Sequence, residues 1–197
     1  MAYLSLVERR REFINAGMRV VAREGVARAT TRRIAEEADA STASLHYCFA
    51  NKAELLEAVF DTTVSEAMSA IRRRIRPDMG LVTAALEVAR GYARLVRQQP
   101  DIQLVFTEMN FWALRHPHAR HLASRAYRRC VDGSVQLLRE ACASAEESAA
   151  DHEGIARQII ATVDGAALQF ISLGDDVLEE IVEHGVADML DHLNDRC

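Results

Sequence analysis

The chain has 197 residues, 49% of them apolar and 27% charged, enough to bury a core in one large or two small domains. No uncharged apolar run reaches the roughly 18 residues of a membrane span. Glu8 comes too early for the apolar stretch of a secretory leader, so we expect a protein of the cytoplasm, off the membrane. The net charge of −5 hides an imbalance: residues 1–52 carry nine Lys and Arg against six Asp and Glu, the remainder fifteen against twenty-three. A basic head on an acidic body suits a head that meets a polyanion.

With 3 prolines, 9 glycines and abundant Ala, Leu, Glu and Arg, the composition favours helix throughout. The first helix spans about 4–24, with Val7, Phe13, Ile14, Met18, Val20 and Val21 as its apolar side and Gly25 as its stop. After the link "VARAT", Thr30 or Thr31 caps a short second helix whose Ile34, Ala35 and Ala38 face inward. "ADA" is a turn, and Ser41 caps a short third helix that carries Leu45 and reaches Phe49. Asn51, with Glu54 three places on, opens a long fourth helix that stops near Pro77.

Further helices are expected at about 81–98, 101–115 and 118–145, the first closed by Pro100 and the third restarted by Pro117. "SAEESAADHEG" reads as a polar break. Two last helices follow, at about 153–173 and 177–193. The fold class is all-α with about nine helices. No strand-like alternation and no internal repeat occurs. The four cysteines, Cys48, Cys130, Cys142 and Cys197, form no CxxC pair and read as free thiols of a reducing compartment.

The second and third helices are each too short to persist alone, since isolated helices below roughly 12–15 residues are marginal in water. Two such helices fixed around a tight turn make a helix-turn-helix. Ile34, Leu45 and Phe49 can form its small core with the first helix. The other side of the third helix then offers Thr42, Ala43, Ser44, His46 and Tyr47 to the edges of bases in a major groove. Thr31 and Arg32 start the second helix and Lys52 the fourth, where backbone N–H groups also favour phosphate. On spacing alone, a structural corner with Thr and Ser serving only as caps is the rival reading.

The stretch "TTRRIAEEADASTASLHYCFANKAELLEAVF" resembles the N-terminal signature of the TetR (tetracycline-repressor-like) family of bacterial transcriptional regulators. The likeness rests on the Thr-Thr start, Ile34-Ala35 with Ala38, Ser41, Leu45, Tyr47, Phe49, Asn51-Lys52 and Leu55-Leu56, and covers about residues 8–60. Asp39 stands where the family usually has a turn glycine, His46 where it has an aromatic, and Cys48 where it often has a histidine. Asp tolerates a left-handed backbone better than most residues, so the turn can survive. The resemblance implies Thr31, Arg32, Thr42, Ala43, Ser44, His46, Tyr47 and Lys52 as the DNA-facing set. It also implies a helix-turn-helix domain over 1–52, a ligand-binding and dimerisation domain over 53–197, and a homodimeric repressor on a palindromic operator.

Beyond residue 60 the resemblance is one of layout. The last helix carries a wide apolar stripe: Val177, Leu178, Ile181, Val182, Val186, Met189, Leu190 and Leu193. The helix before it is apolar nearly all round, with Val163, Ala167 and Phe170. These residues, Val177 apart, are the expected dimer interface, although packing within one chain would use the same stripes. The ligand candidates centre on "IQLVFTEMNFWALRH": Phe106, Glu108, Met109, Asn110, Phe111 and Trp112, with Tyr92 and Gln169 in addition. Polar groups amid aromatics suit a small, largely apolar ligand, and a plain core stripe is the alternative. Glu108, if buried, needs a partner, either Arg115 or a ligand. Asp164, on an apolar helix, could meet an Arg or a ligand.

His116, His118 and His121 are interrupted by Pro117 and lack a carboxylate at helical spacing, so we expect no metal. No phosphate-binding glycine loop and no nucleophile with a base is present. We expect no cofactor and no enzymatic activity. A helical protein-interaction module, an activator, and a regulator without a ligand are the remaining alternatives.

Overall fold

The computed structural model describes residues 5–174 and 176–194. Leu4, Cys197 and the side chain of Leu193 lie outside the described residues. The described residues form ten α-helices and no strand. They are α1 Leu6–Glu24, α2 Thr31–Glu37, α3 Thr42–Cys48, α4 Lys52–Arg72, α5 Leu81–Gln98, α6 Pro100–Arg115, α7 Arg120–Ala141, α8 Ala145–Ser148, α9 His152–Leu173 and α10 Leu178–Asn194. No helix among them is long and apolar enough to cross a membrane.

The helix ends follow local chemistry. Ser5 and Glu8 form a reciprocal capping box at α1, and Gly25, with φ 79°, closes it. Pro100 sits in the first turn of α6, where a missing N–H costs nothing, and does not simply close α5. The expected polar break holds the one helix the sequence does not announce, α8, four residues capped by Ser144. Gly80 gives α5 no side-chain cap. Instead the Glu147 carboxylate accepts from the Leu81 N–H at 3.0 Å and the Ala143 N–H at 2.6 Å. Those bonds, the Ala143 one foremost, hold Glu147 below the usual carboxylate range.

The packing divides into two compact units. One takes the residues up to Ser65 with Asp101–Ala126; the other takes Glu66–Pro100 with the residues from Tyr127 on. In the first, α1, α2 and α3 share a core of Phe13, Val20, Val21, Ile34, Leu45 and Phe49. Phe60 of α4 meets Phe106 of α6 edge to face, 5.8 Å between centroids. In the second, α5, α9 and α10 pack together through Val88, Val96, Ile159, Val163, Leu178, Val182 and Val186. Each such side chain, fully buried, contributes about 1.5–3 kcal/mol. Arg90 pairs with Glu183 at 2.9 Å, and Arg97 with Asp176 at 2.6 Å and with Glu179, so the rim of α5 is tied to α10 and the residues just before it.

Candidate nucleic-acid interface

Neither α2 nor α3 exceeds seven residues, and each is fixed by caps and by neighbours. The Thr30 hydroxyl accepts from the Arg33 N–H at 3.1 Å, so Thr30 is the cap and the Thr31 hydroxyl is spared that duty. Ser41 does the same for α3 through the Ser44 N–H at 3.1 Å. Between them Asp39 takes φ 49°, the left-handed conformation a turn glycine would otherwise supply. Leu45, Cys48 and Phe49 are buried, and this fixes which side of α3 faces out. That side carries Thr42, Ala43, His46 and Tyr47, all exposed, with Ser44 half-exposed beside its cap. Tyr47 is 81% exposed, an unusual outlay of aromatic surface for a side chain with no neighbour to cover it.

The far end of α3 is clamped by Arg10 of α1. Its guanidinium lies 4.0 Å from the Phe49 ring centroid, donates to the Cys48 carbonyl, and pairs with Glu54 at 2.8 Å. Glu54 in turn accepts from the Ala50 N–H, while Asn51 caps α4 through the Glu54 N–H at 2.9 Å. One arginine therefore joins α1, the end of α3 and the start of α4. The sequence hides this role, because Arg10 sits in an "RRR" run that reads as solvated charge.

The basic surplus of the head is mostly committed to the fold. Glu37 receives Arg19 at 2.9 Å, Arg23 at 2.6 Å and Arg33 at 3.0 Å, and Arg33 also meets Glu24 at 2.7 Å. The hydrogen bond from Arg19, then those from Arg23 and Arg33, bring the Glu37 carboxyl down to about 2. Arg32 is exposed and, among the described residues, pairs only along its own helix, with Glu36 at 3.0 Å. Such a surface pair is worth about 0–1 kcal/mol, so a phosphate can replace the carboxylate. Arg11, Arg28 and Lys52 have no carboxylate partner among the described residues. Lys52 is half-buried, its ammonium 3.5 Å from the Val26 carbonyl, and burial lowers its pKa. Arg28, exposed in the turn before α2, shares that loop and is a cation sequence reasoning left without a place.

Residues 13–59 match the family profile described as bacterial regulatory proteins, tetR family, and residues 86–194 match that of the BetI-type transcriptional repressor C-terminal region. A relative from Paenarthrobacter nicotinovorans, the HTH-type nicotine-responsive transcriptional repressor HdnoR, is 32% identical over 170 residues, 86% of this chain and 87% of its own. The chain belongs to the TetR family. It is a DNA-binding transcriptional regulator. Solved structures share its fold: a TetR regulator from Haloarcula marismortui is 20% identical, with TM-score 0.77 over 94% of this chain and 98% of that one. A regulator from Pseudomonas aeruginosa PAO1 is 18% identical, with TM-score 0.78 over 96% and 93%.

The TetR-type body distributes the remaining candidates unevenly. On α6, Phe106, Met109 and Asn110 are buried, Trp112 is half-buried and stacked on His116, and Glu108 and Phe111 are exposed. Glu108 makes no ion pair with Arg115. Its carboxylate faces the loop after α1, 3.5 Å from the Val26 N–H. Asn110 donates to the Phe106 carbonyl at 2.8 Å, and its buried Oδ1 has no partner among the described residues. Tyr92 and Gln169 belong to the second unit, Tyr92 with an enclosed phenol and Gln169 exposed. His118 and His121 are exposed, and the His116 ring lies 2.7 Å from the Trp112 carbonyl.

Of the expected interface residues, Val163, Ala167, Leu178, Val182, Val186 and Leu190 are already buried within the single chain, packing α5, α9 and α10 together. Phe170 and Met189 are half-buried and Ile181 is exposed. The apolar surface left uncovered on and beside these two helices is Leu168 and Leu173 on α9, with Val177 just before α10 and the expected Ile181 on it.

Proposed function

We propose that this TetR-family regulator is a ligand-responsive repressor that reads a palindromic operator as a homodimer in the cytoplasm, with residues 1–52 as the reading head and 53–197 as the ligand and dimer body. The observation that carries the DNA-reading geometry is the outward row of α3. Thr42, Ala43, His46 and Tyr47 face solvent while Leu45, Cys48 and Phe49 hold the helix down. In this reading α3 enters the major groove, His46 and Tyr47 meet base edges and thymine methyls, and Ser44 and Thr42 meet bases or phosphates. Thr31, Arg32, Lys52 and Arg28 grip the flanking backbone, and Arg10 positions α3 without touching DNA.

The dimer face is assigned to α9 and α10. Ala161, Gly165, Leu168 and Ser172 recur at i, i+4, i+7 and i+11 and are all exposed, and a Cβ added at Gly165 would meet no atom within 4 Å. Small residues with a leucine on one side, next to exposed Val177 and Ile181, suit close approach of a second copy of the same helices. A small, largely apolar ligand weakens DNA binding by preferring the body conformation in which the two heads no longer match the half-sites. The nicotine-responsive relative supports a compact ring compound of that kind. The unpartnered Asn110 Oδ1 among Phe106 and Met109 supports a polar contact on α6, and Phe111 and Glu108 point elsewhere.

The test is to select binding sequences from random duplexes and to weigh the complex by sedimentation. A two-fold symmetric site holding two chains is expected. A site without symmetry, bound by one chain, would overturn the dimeric reading.

A further inference from the structure

Inside the second unit, α4, α5, α7 and α9 bring Met68, Tyr92, Tyr127, Cys130, Ser134 and Asp164 into one polar cluster. Its hydrogen bonding is incomplete. The Tyr92 hydroxyl donates to the Met68 thioether at 3.1 Å, a weak acceptor for a phenol. Ser134 beside it is fully buried; its hydroxyl interacts with that of Tyr92 but has no partner at full hydrogen-bond distance among the described residues. Buried polar groups are almost always satisfied, and each exception costs about 1–3 kcal/mol. Met68 lies over these groups because α7 has no side chain at Gly133, where a Cβ would come within 2.7 Å of the Met68 methyl. Methionine, unbranched with three rotatable bonds, is the apolar side chain best able to move aside.

Asp164 supplies the carboxylate of the cluster. The Tyr127 hydroxyl donates to the Asp164 carboxylate at 2.8 Å. Burial first, then Cys130 and Asp164, pushes the Tyr92 phenol well above its ordinary value. Burial, then Asp164, does the same to Tyr127. Burial first raises the Cys130 thiol, to about 11, against the hydrogen bond with Tyr92; Asp164 adds to the rise and Arg129 opposes it. Burial keeps these three protic groups neutral beside the Asp164 carboxylate, whose charge attracts cations, with Arg129 the opposing charge near Cys130. Around it stand two phenol rings and a thioether, surfaces that bind an organic cation well. Tyr127, 39% exposed, brings the cluster to the surface along α7.

We propose that this cluster is a binding site for a small organic ammonium ion carrying an apolar ring. Asp164 faces the nitrogen, Tyr92 and Tyr127 flank the ring, and Ser134 gains its missing partner as Met68 turns away. The proposal rests on the ligand-responsive reading above only for its consequence, release of DNA.

The test is calorimetric titration of the full-length protein with benzylamine and N,N-dimethylbenzylamine against benzyl alcohol, which matches benzylamine in shape but is uncharged. The amines are expected to bind about tenfold tighter than the alcohol, a difference of about 1.4 kcal/mol. The preference should vanish in Asp164→Asn, shrink in Tyr127→Phe, and persist in the control Asp132→Asn. Equal binding of amine and alcohol, a preference unchanged in Asp164→Asn, or no heat from either amine at millimolar concentration would each overturn the proposal. If Asp164→Asn loses its fold by circular dichroism, the Tyr127→Phe comparison decides in the same way. Operator release is measured separately. Amines that bind through Asp164 yet leave DNA bound would refute the ligand-responsive reading and sustain the site.

Discussion

The α2–α3 pair and the α9–α10 pair are both built from two helices with one side buried, yet their sequences reveal their exposed sides very differently. In the head, seven-residue helices leave room for one inward side only. Leu45, Cys48 and Phe49 take it, and the other positions of α3 are exposed or, at Ser44, half-exposed. In the body, α9 is apolar nearly all round, and α10 has a stripe wide enough for two neighbours. The structure gives the deeper part of both to α5 and leaves the shallower edge of Leu168, Leu173, Val177 and Ile181 uncovered. Short motifs anchored by caps determine orientation, whereas long helices with apolar residues on two sides do not.

The sharpest way to break this comparison is a charge on each kind of apolar position. Leu190→Glu places a carboxylate in a site that is 5% exposed, and should destabilise the chain by about 4 kcal/mol, seen as loss of cooperative thermal unfolding. Leu168→Glu, on a residue 57% exposed, should leave helical content and melting nearly unchanged while halving the sedimenting mass. If Leu190→Glu instead gives a folded monomer, the two sides of α10 have been assigned the wrong way round.

Acid gives the next largest effect, through Glu37 in the head. The Glu37 pKa is depressed from 4.5 to about 2 by Arg19, Arg23 and Arg33, so its contribution is fully present above pH 4.5 and is lost as pH falls towards 2. The head should therefore lose stability through that window, and Glu37→Gln should flatten the slope while lowering stability at neutral pH. Hydrogen exchange resolved along the chain checks this. An unchanged slope in the variant would mean that the three arginines do not hold the carboxylate.

The smallest effects lie at the edge of the reading surface. Arg28→Ala and Lys52→Ala should each reduce the salt slope of operator binding by about one unit, without changing which sequence is preferred. A changed preference would move either residue from phosphate to bases.

Much of the head was readable in advance because caps, turn and core residues all indicate the same geometry: Ser41, Asp39, Leu45 and Asn51 each take the place their chemistry suggests. What escaped was pairing at a distance. Arg10 reaches across 38 residues to the end of α3, and Glu37 gathers cations from two helices, so charge counting overstated the positive surface available to DNA. In the body, Glu108 reads as a pocket carboxylate because aromatics surround it in sequence, but α6 turns Phe106 and Met109 inward and Glu108 out to the Val26 loop. Tyr92 and Asp164 stand out in the sequence singly, but they and Ser134 come from three helices far apart in the chain, and no local pattern marks them as one cluster.

The central claim is that the outward row of α3 reads DNA, and Tyr47 is its largest side chain. The direct measurement is fluorescence anisotropy of a labelled operator duplex titrated with wild type and with Tyr47→Ala, at matched salt, with mass and circular dichroism recorded on the same samples. The account predicts binding weaker by about tenfold or more, the worth of one good base contact, with mass and helical content unchanged. Wild-type affinity in a folded, dimeric Tyr47→Ala protein would contradict it.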